Sequence, residues 1–596
     1  MSFKPDIHYK HTVYCNCLKS AFLLVLFLVI LSCKKQPILR DVPSTAVCID
    51  GIRIAWDHRT LMKVAPSFGR PPGYYGYARM EQLHDGRIAC VYETSGGDIE
   101  LTTSSNYGVS WSWPKVIFSD TNVINMAVPD IIELSDNSIL IACNTRPREP
   151  FTIDRKFGIK VRRSDDSGQR WGPEKLIYEA QPDFENGCWE PSFLQLPDGE
   201  VQLYFSNEGI YLQTNEQNIS IFRSYDFGET WNSEPEIVGF RALKRDGMPV
   251  ALVLEDLGKI LVSIEDNKEG EFKPSIYYES LENNWSDGFI AADDPRRSYH
   301  PLSDKLKRDI YAGGPFLGRL GTGEVLLSYQ TTQNRNKVWN YSSMAVEISD
   351  DKGALFSRRT IPFEVPVNKW GLWNSLAVID QNTPVAVTST NAYSENSTEV
   401  WMIMGRIIPE VTIPKGTPVI NGSFNDPCWE IPAPYFTGHK SDAYLLASLC
   451  SDDQNLYISV LVKDNEIVSP ENTEGLSDGV IIQIDTERKG YLQPHTGIFE
   501  FILAAGDTLS AREGNFGLWE KMVPNSLEII EIQSDSAYQF ELAIPLDFLR
   551  IQPGKTSKMG INFVLRNGSL INKDYEESMG SNDLGRPNTW CPVLIN

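Results

Sequence analysis

A short motif that recurs at a fixed interval constrains this chain more than any other feature of its sequence. Its first copy starts at Ser104 and its next two copies start at Ser164 and Ser224, each 60 residues further on. A worn fourth copy starts at Ser349, which leaves room for one more unit whose motif has decayed near residues 280–285. A fixed period of this length indicates an array of equivalent units that bury their faces against one another.

The residues of the motif are typical of a hairpin turn. In the third copy, Asp226 takes the turn-initiating position, Gly228 accepts a positive φ, and Trp231 is expected to pack between neighbouring sheets. This Ser-x-Asp-x-Gly-x-Thr-Trp pattern is the Asp-box, or bacterial neuraminidase repeat. We expect the boxes to lie on the outer rim, where their aspartates mark the units and take no part in catalysis.

Short alternating apolar segments lie between the boxes and predict β-strands. They include residues 139–143, 201–205, 260–264 and 325–329, each bounded by Gly, Asp or Asn. At about 60 residues per four-stranded unit, residues 50–410 hold six units. The sequence therefore predicts an all-β fold with a six-bladed β-propeller over this range.

A change in composition divides the chain after the propeller. Residues 411–419 contain Pro414, Gly416 and Pro418 and are predicted to form a linker. Alternating segments with polar turns resume in residues 420–596 and predict a β-sandwich as the second domain.

The N-terminal residues carry an export signal. Residues 21–32 form an apolar run too short to span a bilayer, and Ile30-Leu31-Ser32-Cys33 follows the pattern of a bacterial lipobox. We expect residues 1–32 to be removed, Cys33 to be lipidated, and residues 33–49 to tether the domains to a membrane of the cell envelope.

Charge and motif content exclude several classes of partner. The net charge of −23 repels polyanions, so nucleic acid is not expected as a partner. No cysteine spacing typical of a zinc site occurs, and neither a metal nor a cofactor is expected. No feature predicts a protein partner.

Two glutamates, Glu190 and Glu265, stand at the edges of apolar runs from which strands would bring them to one pocket. Most glycoside hydrolases need two such carboxyl groups to break a glycosidic bond. Four phrases occur in order around them: Gly-Cys-Trp-Glu-Pro, Leu-Tyr-Phe-Ser-Asn-Glu, Arg-Asp-Gly-Met-Pro and Ile-Glu. Together they resemble exo-arabinanases of glycoside hydrolase family 93. The resemblance implies that Glu190 is the nucleophile and Glu265 the acid/base of a retaining exo-glycosidase.

Other residues of the predicted site come from the same resemblance. Arg79 takes the place of the first arginine of sialidase-like propellers, and Asp246 is expected to orient Glu265 or to bind a sugar hydroxyl, or else to pair with Arg245. The remaining expected substrate contacts are Trp189, Tyr311 and Trp373. Residues 418–596 resemble carbohydrate-binding module family 9.

Two other functions remain open at this stage. A sialidase would share the Asp-boxes, but it needs three arginines around a carboxylate and a tyrosine–glutamate nucleophile pair, for which only Arg79 and Tyr341 are recognisable. A non-catalytic glycan-binding lipoprotein is the third interpretation. In each case the expected partner is an oligo- or polysaccharide.

Overall fold

The computed structural model describes residues 53–596, apart from residues 269, 350–352, 409–410, 430–434, 439–442, 473–475, 490, 492, 507–508, 525, 569–574, 580–586 and 588–589. The predicted signal sequence, the lipidation site at Cys33 and the tether lie outside the described residues. The regular structure of the described residues is β-strand, with no α-helix among them and only short 3-10 helices. These helices are Phe184–Asn186, Glu255–Leu257, Trp339–Tyr341, Pro427–Trp429 and Pro470–Asn472.

Six antiparallel four-stranded sheets make up residues 53–408. Sheet 1 contains β2 (Tyr75–Gln82), β3 (Ile88–Thr94), β4 (Ile99–Ser104) and β5 (Lys115–Phe118). Sheet 2 contains β6 (Ile124–Glu133), β7 (Ile139–Pro147), β8 (Gly158–Ser164) and β9 (Lys175–Glu179). Sheet 3 contains β10 (Cys188–Gln195), β11 (Val201–Asn207), β12 (Asn218–Ser224) and β13 (Glu236–Gly239).

The next three sheets follow the same plan. Sheet 4 contains β14 (Asp246–Leu254), β15 (Lys259–Asp266), β16 (Lys273–Ser280) and β17 (Arg297–Ser298). Sheet 5 contains β18 (Ala312–Arg319), β19 (Val325–Thr331), β20 (Ser343–Ser349) and β21 (Phe356–Thr360). Sheet 6 contains β22 (Gly371–Ile379), β23 (Thr383–Thr390), β24 (Glu399–Ile408) and, as its fourth strand, β1 (Arg53–Ala65) from the other end of the range.

The first strands of the six sheets contact one another in sequence order, and β22 of sheet 6 contacts β2 of sheet 1. Each of these strands is interrupted near its start by a β-bulge with one residue at positive φ. The six bulge residues are Tyr77, Val128, Glu190, Met248, Gly314 and Trp373, with φ between 50° and 58°. This arrangement is propeller-like, with the bulges at one end of the inner strands.

A repeated hydrogen bond joins every sheet to the next. The backbone N–H of each bulge residue donates to a side chain on the second strand of the preceding sheet. The acceptors are Ser389 Oγ for Tyr77 (2.9 Å), Glu93 Oε2 for Val128 (2.7 Å), Asn144 Oδ1 for Glu190 (3.0 Å), Ser206 Oγ for Met248 (2.9 Å), Glu265 Oε2 for Gly314 (2.9 Å) and Gln330 Oε1 for Trp373 (2.7 Å). We call these six bonds the bulge latches.

The Asp-boxes form turns between the third and fourth strands of their sheets, as the sequence predicts. In the third copy, the N–H of Gly228 donates to Ser224 Oγ (2.8 Å) and the N–H of Thr230 donates to Asp226 Oδ1 (2.8 Å). The worn copy retains the bond from the N–H of Gly353 to Ser349 Oγ (2.9 Å). The boxes therefore have a structural role at the end of the sheets opposite the bulges.

The remaining strands form two further sheets. The larger contains β25 (Val411–Thr412), β29 (Gly479–Asp485), β30 (Ile498–Ala504), β31 (Ser510–Asn515), β32 (Leu518–Met522), β35 (Ser557–Asn567), β36 (Tyr575–Ser578) and β37 (Cys591–Ile595). The smaller contains β26 (Tyr435–Gly438), β27 (Ala443–Ser451), β28 (Asn455–Asp464), β33 (Glu528–Ser534) and β34 (Ala537–Pro545). One hydrophobic core contains buried side chains from both sheets.

The start of the expected linker is part of this second unit. Strand β25 pairs in parallel with β37, and the N–H of Ile413 donates to the carbonyl of Leu594 (2.7 Å). Trp429 is buried and donates from Nε1 to Glu541 Oε1 (2.8 Å), which fits a core residue. Over the described residues, no helix has the length and apolarity needed to cross a membrane.

Candidate active site

The bulges bring side chains from separate sheets together at one end of the ring of inner strands. Tyr77, Val128 and Met248 form one buried cluster with Trp373 packed against it. The rings of Tyr77 and Trp373 are stacked, with centroids 5.0 Å apart and planes 16° from parallel. Of the six bulge residues, Glu190 alone has a carboxyl group in its side chain.

Glu190 is held in an unusual backbone conformation. Its φ of 50° is rare for a residue with a Cβ, and such strain, of order 1–3 kcal/mol, persists where the surrounding structure imposes it. Burial raises the pKa of the Glu190 carboxyl to about 7, while Arg146 and a hydrogen bond from Ser206 act in the opposite direction. The bulge therefore places a partly buried acid, with a cation beside it, at the centre of the ring.

Glu265 reaches the same place from the second strand of sheet 4. Its Oε2 accepts the bulge latch of Gly314. Burial and the charge of Glu190 raise the pKa of Glu265 to about 7, against the hydrogen bond from Gly314. The Glu190 carboxyl group is thus close enough to influence the ionisation of Glu265.

The surroundings of the two acids differ, although the pKa of each is raised to about 7. Arg146 and the Ser206 hydroxyl favour the ionised form of Glu190, whereas Glu265 has one backbone N–H and the neighbouring charge of Asp266. Two interacting acids lose their protons in steps that belong to the pair. We expect Glu190 to be the ionised member and Glu265 the protonated one when the pair carries a single proton.

Arg146 is a site residue that the sequence interpretation missed. Its guanidinium carbon lies 5.0 Å from the ring centroid of Trp189, and its Nε is buried with no hydrogen-bond partner among the described residues. It lies on β7, two residues after the latch residue Asn144, so only the three-dimensional arrangement places it beside Glu190. The repeated placement of a polar residue at the end of each second strand is the signal that could have found it.

Trp189 supports the site from the side of the core. It is buried, packs on Phe157, and donates from Nε1 to Glu208 Oε1 (2.9 Å). Glu208 in turn forms an ion pair with Arg245. Arg245 influences both Glu190 and Glu265, whose pKa values it lowers.

Arg79 is buried on β2, two residues after the bulge residue Tyr77. Its guanidinium carbon lies 5.0 Å from the ring centroids of both Tyr77 and Phe316, and Nη1 donates to the carbonyl of Ala78 (2.9 Å). Burial lowers the pKa of Arg79, while nearby Asp130 and Glu190 act to raise it. The structure therefore brings Arg79 near Glu190 as a buried charge.

Asp246 is not brought to the site, and it does not pair with Arg245. Its side chain is fully buried, and its two oxygens accept hydrogen bonds from Arg241 Nε (2.8 Å), Arg297 Nη2 (2.6 Å) and the Tyr277 hydroxyl (2.6 Å). These partners saturate the carboxylate, so the expected contact with a sugar hydroxyl does not fit its position. Asp246 instead ties the outer strands of sheet 4 to the loop before β14.

An aromatic wall adjoins the two glutamates. The hydroxyl of Tyr311 accepts from Gln330 Nε2 (3.1 Å), and the Tyr311 ring lies 6.3 Å from that of Trp339. The rings of Trp339 and Trp373 are 5.9 Å apart, and Trp339 is 44% exposed. Tyr311 and Trp373 are therefore both at the site, and the wall offers aromatic faces of the kind on which sugar rings pack.

Close approach requires a glycine beside Glu265. A Cβ on Gly313 would collide with Glu265 Oε2 and with the Tyr311 hydroxyl. In the described residues, no group of three or more His, Cys, Asp or Glu side chains is arranged to hold a metal ion. Two carboxyl groups, flanking arginines and aromatic rings meet at this place.

Comparison with known proteins confirms the repeat. Residues 83–252 match the model of the BNR repeat-like domain. No curated protein has significant sequence similarity to the chain.

Three solved structures are among those to which parts of the chain are similar. A protein of unknown function from Dyadobacter fermentans is 12% identical, with 60% of this chain and 98% of that chain covered and a TM-score of 0.44. The α-L-arabinofuranosidase of Fusarium graminearum in complex with arabinobiose is 16% identical, with 58% and 98% covered and a TM-score of 0.41. A carbohydrate-binding module of family 9 from Caldicellulosiruptor kristjanssonii in complex with cellotriose is 16% identical, with 31% and 93% covered and a TM-score of 0.27.

Proposed function

We propose that this protein is a retaining exo-glycosidase that removes terminal sugars from a polysaccharide, with Glu190 as nucleophile and Glu265 as acid/base. The observation that carries the proposal is the meeting of two partly buried carboxyl groups from neighbouring sheets, each with its pKa raised to about 7. A retaining enzyme needs one ionised carboxylate and one protonated carboxyl group at the same pH. The different surroundings of Glu190 and Glu265 support this division.

The reaction would proceed in two steps. The Glu190 carboxylate attacks the anomeric carbon while Glu265 gives its proton to the departing oxygen, which breaks the glycosidic bond and leaves a covalent glycosyl-enzyme. Glu265, now ionised, takes a proton from water, and the water oxygen attacks the same carbon and releases Glu190. Arg146 would stabilise the Glu190 carboxylate before attack and after its release.

The most specific substrate we propose is arabinan, cleaved as by an exo-arabinanase or α-L-arabinofuranosidase. This part of the proposal comes from the phrases around Glu190 and Glu265 that resemble glycoside hydrolase family 93. The aromatic wall of Tyr311, Trp339 and Trp373 suits a sugar that packs its apolar face beside the two acids.

The architecture we propose for this enzyme is a six-bladed β-propeller followed by a β-sandwich. Six four-stranded sheets, latched in a cycle, support the first part, and a shared core between two sheets supports the second. We further propose that Cys33 is lipidated and holds the enzyme at the bacterial cell envelope. Replacing Cys33 with alanine should then release the protein from the membrane fraction or block its processing.

Sialidase activity is the second candidate, and one observation favours it. Arg146 and Arg245 join Arg79 around Glu190, so the site contains three arginines where the sequence reveals only one. A carboxylate on the substrate could take the place of the missing partner of Arg146. Against it, Arg245 already forms an ion pair with Glu208.

A substrate panel separates the two candidates. Purified residues 33–596 would be assayed on an aryl α-L-arabinofuranoside, on linear arabino-oligosaccharides and on an aryl sialoside, with the anomer of the first product read by proton NMR. We expect release of arabinose with retention, which corresponds to carboxyl groups about 5–5.5 Å apart. Inversion would contradict the assigned roles, and cleavage of the sialoside alone would favour the second candidate.

Variants of the two acids test their roles. Glu190→Gln should abolish turnover, because no covalent intermediate can form. A suitable control is Glu282→Gln, which changes an exposed glutamate between β16 and β17. Full activity of Glu190→Gln would refute the proposed mechanism.

A further inference from the structure

A separate small cavity opens on the same end of sheet 4 as the two glutamates. It has a volume of about 80 Å³, and its lining includes Asp266, Lys268, Lys273, Tyr299, Lys305 and Arg308. Strand β15 ends at Asp266, directly after Glu265, and β17 ends at Ser298 towards the same end of the sheet. The cavity is therefore lined by the residue that follows Glu265 on β15, at the end of the strand where Glu265 lies.

The lining is strongly cationic in a chain whose net charge is −23. Among the residues that the structure describes, four lysines and arginines line the cavity against a single acid, Asp266. Asp266 lies 3.7 Å from Arg241 and accepts from the N–H of Lys268, so it is already partnered by positive charge on its Oδ1 side. The cavity therefore carries an excess of positive charge.

Three of the four lysines and arginines that line the cavity have no ion pair among the described residues. Lys268, Lys305 and Arg308 form no ion pair with any residue that the structure describes. The neighbouring acids Asp304 and Asp309 are instead paired with Arg359 and Lys337. Exposed cations at a concave surface attract an anion more strongly than the same charges on a flat one.

The walls are held in place independently of any ligand. Lys273 donates from Nζ to the carbonyls of Glu271 and Ile310, which joins the two loops. The Nζ of Lys268 lies 3.3 Å from the ring centroid of Tyr299. Such a cation–π contact fixes the direction of the ammonium group and leaves its N–H donors available.

The size of the cavity limits what it can hold. About 80 Å³ exceeds what one water molecule needs, about 10–15 Å³, and is far below the roughly 300–1,000 Å³ of pockets that enclose whole small molecules. A single charged substituent fits these limits, with the rest of its parent molecule outside.

We propose that this cavity is an anion subsite that binds the carboxylate of a uronic acid residue on the leaving-group side of the substrate. The cavity lies at the strand end that carries Glu265, the residue proposed to protonate the departing oxygen. This position assigns the cavity to the leaving-group side of the substrate, and in this respect the inference rests on the proposed function. The natural substrate would then be an acidic glycan, in which the terminal neutral sugar is attached to, or lies near, a carboxylate-bearing residue.

Isothermal titration calorimetry with trigalacturonate and its fully methyl-esterified form tests the subsite. The two probes share one sugar backbone, and esterification removes the charge of each carboxyl group and adds a methyl group to it. We expect the acid to bind at least about tenfold more tightly than the ester at low ionic strength, as one charge-assisted contact predicts, and to lose this advantage as salt is raised. Equal affinity for the two probes would overturn the proposal.

The variants Lys305→Ala and Arg308→Ala locate the binding. Each should weaken binding of the acid by about tenfold and leave binding of the ester unchanged. Lys307→Ala removes the same charge from the same loop outside the cavity lining and is the matched control; equal losses in all three variants would place the anion elsewhere. The titration does not require the probes to be cleaved, so it tests the anion subsite even if the protein proves inactive on arabinosides. If the protein cleaves arabinosides but binds the acid and the ester equally well, the anion subsite is refuted and the proposed function stands.

Discussion

Glu265 accepts the backbone N–H of Gly314 at 2.9 Å and so performs, in sheet 4, the task that a serine, asparagine, glutamate or glutamine performs in the other five sheets. The proposed acid/base is thus also a structural link between two sheets. The two tasks use different properties of the side chain, because the latch needs only an acceptor oxygen whereas catalysis needs a transferable proton.

Glu265→Gln should therefore separate the two tasks. A glutamine oxygen can accept the N–H of Gly314, as Gln330 does for Trp373, so the melting temperature should not fall. Loss of general acid–base help should lower kcat by about 10²–10⁴ on poor leaving groups and by less on activated aryl glycosides. Glu265→Ala should in addition lose about 1–3 kcal/mol of stability, since it leaves the Gly314 N–H without its acceptor. Urea unfolding and steady-state kinetics of both variants check this.

The raised pKa values of the two acids predict a gain in stability when either is made neutral. Because the folded protein holds protons that the unfolded chain releases between about pH 4.5 and 7, its free energy of unfolding falls as pH rises through this window. Glu190→Gln should thus be more stable than the wild type at pH 8, by roughly 1–3 kcal/mol, and equally stable below pH 4. A variant less stable at pH 8 would contradict the burial of Glu190.

Arg146 should set the acidic limb of the pH–rate profile. Removing this cation raises the pKa of Glu190, so more alkaline conditions are needed to ionise the nucleophile. For Arg146→Ala we expect the acidic midpoint of kcat/KM to move to higher pH, and for Arg146→Lys to stay near that of the wild type. An unshifted midpoint in Arg146→Ala would assign Arg146 to packing on Trp189 alone.

Gly313→Ala should damage catalysis more than folding. The added methyl group would meet Glu265 Oε2 and the Tyr311 hydroxyl and displace the carboxyl group from its place. We expect a fall in kcat of at least about tenfold, as small misplacements of reacting groups cost much in rate. Gly318→Ala, on the same strand, meets only ordinary contacts and should behave as the wild type in the same assay.

Asp226 should matter for stability and not for turnover. Its carboxylate accepts the N–H and the hydroxyl of Thr230 at the end of the sheet remote from the glutamates. Asp226→Ala should cost about 1–3 kcal/mol in unfolding free energy with kcat unchanged. Asp226→Asn should cost much less, because Asn106 makes the same bond to the N–H of Ser110 in the first copy. A fall in kcat in either variant would contradict the structural role.

The periodicity of the Asp-boxes predicted the sheets well because each box marks one hairpin. The spacing also predicted a sheet where the motif has decayed, and Trp285 is indeed buried there, between sheets 3 and 4. That Glu190 and Glu265 come together could be expected because each stands at the edge of an apolar run that forms a strand, whereas their catalytic roles stay a prediction.

The bulges could not be predicted in the same way. A positive φ at Tyr77 or Glu190 is imposed by tertiary contacts and leaves no mark on side-chain preference. The proline that follows four of the six bulge residues, as at Glu190 and Met248, is the trace that remains in the sequence. Asp246 was misread because its partners Arg241 and Arg297 come from separate segments, whereas its neighbour Arg245 points to Glu208.

The pairing of β1 with β24 sets the order in which the ring can be assembled during synthesis. Sheets 1 to 5 use consecutive strands and can form as they leave the ribosome, but β1 ends at Ala65 and its partner begins at Glu399. The first strand must therefore wait, unpaired, until almost the whole range has been translated. A message cut short before residue 399 would yield a chain with two bare strand edges, at β1 and β23, and such edges recruit other chains into aggregates.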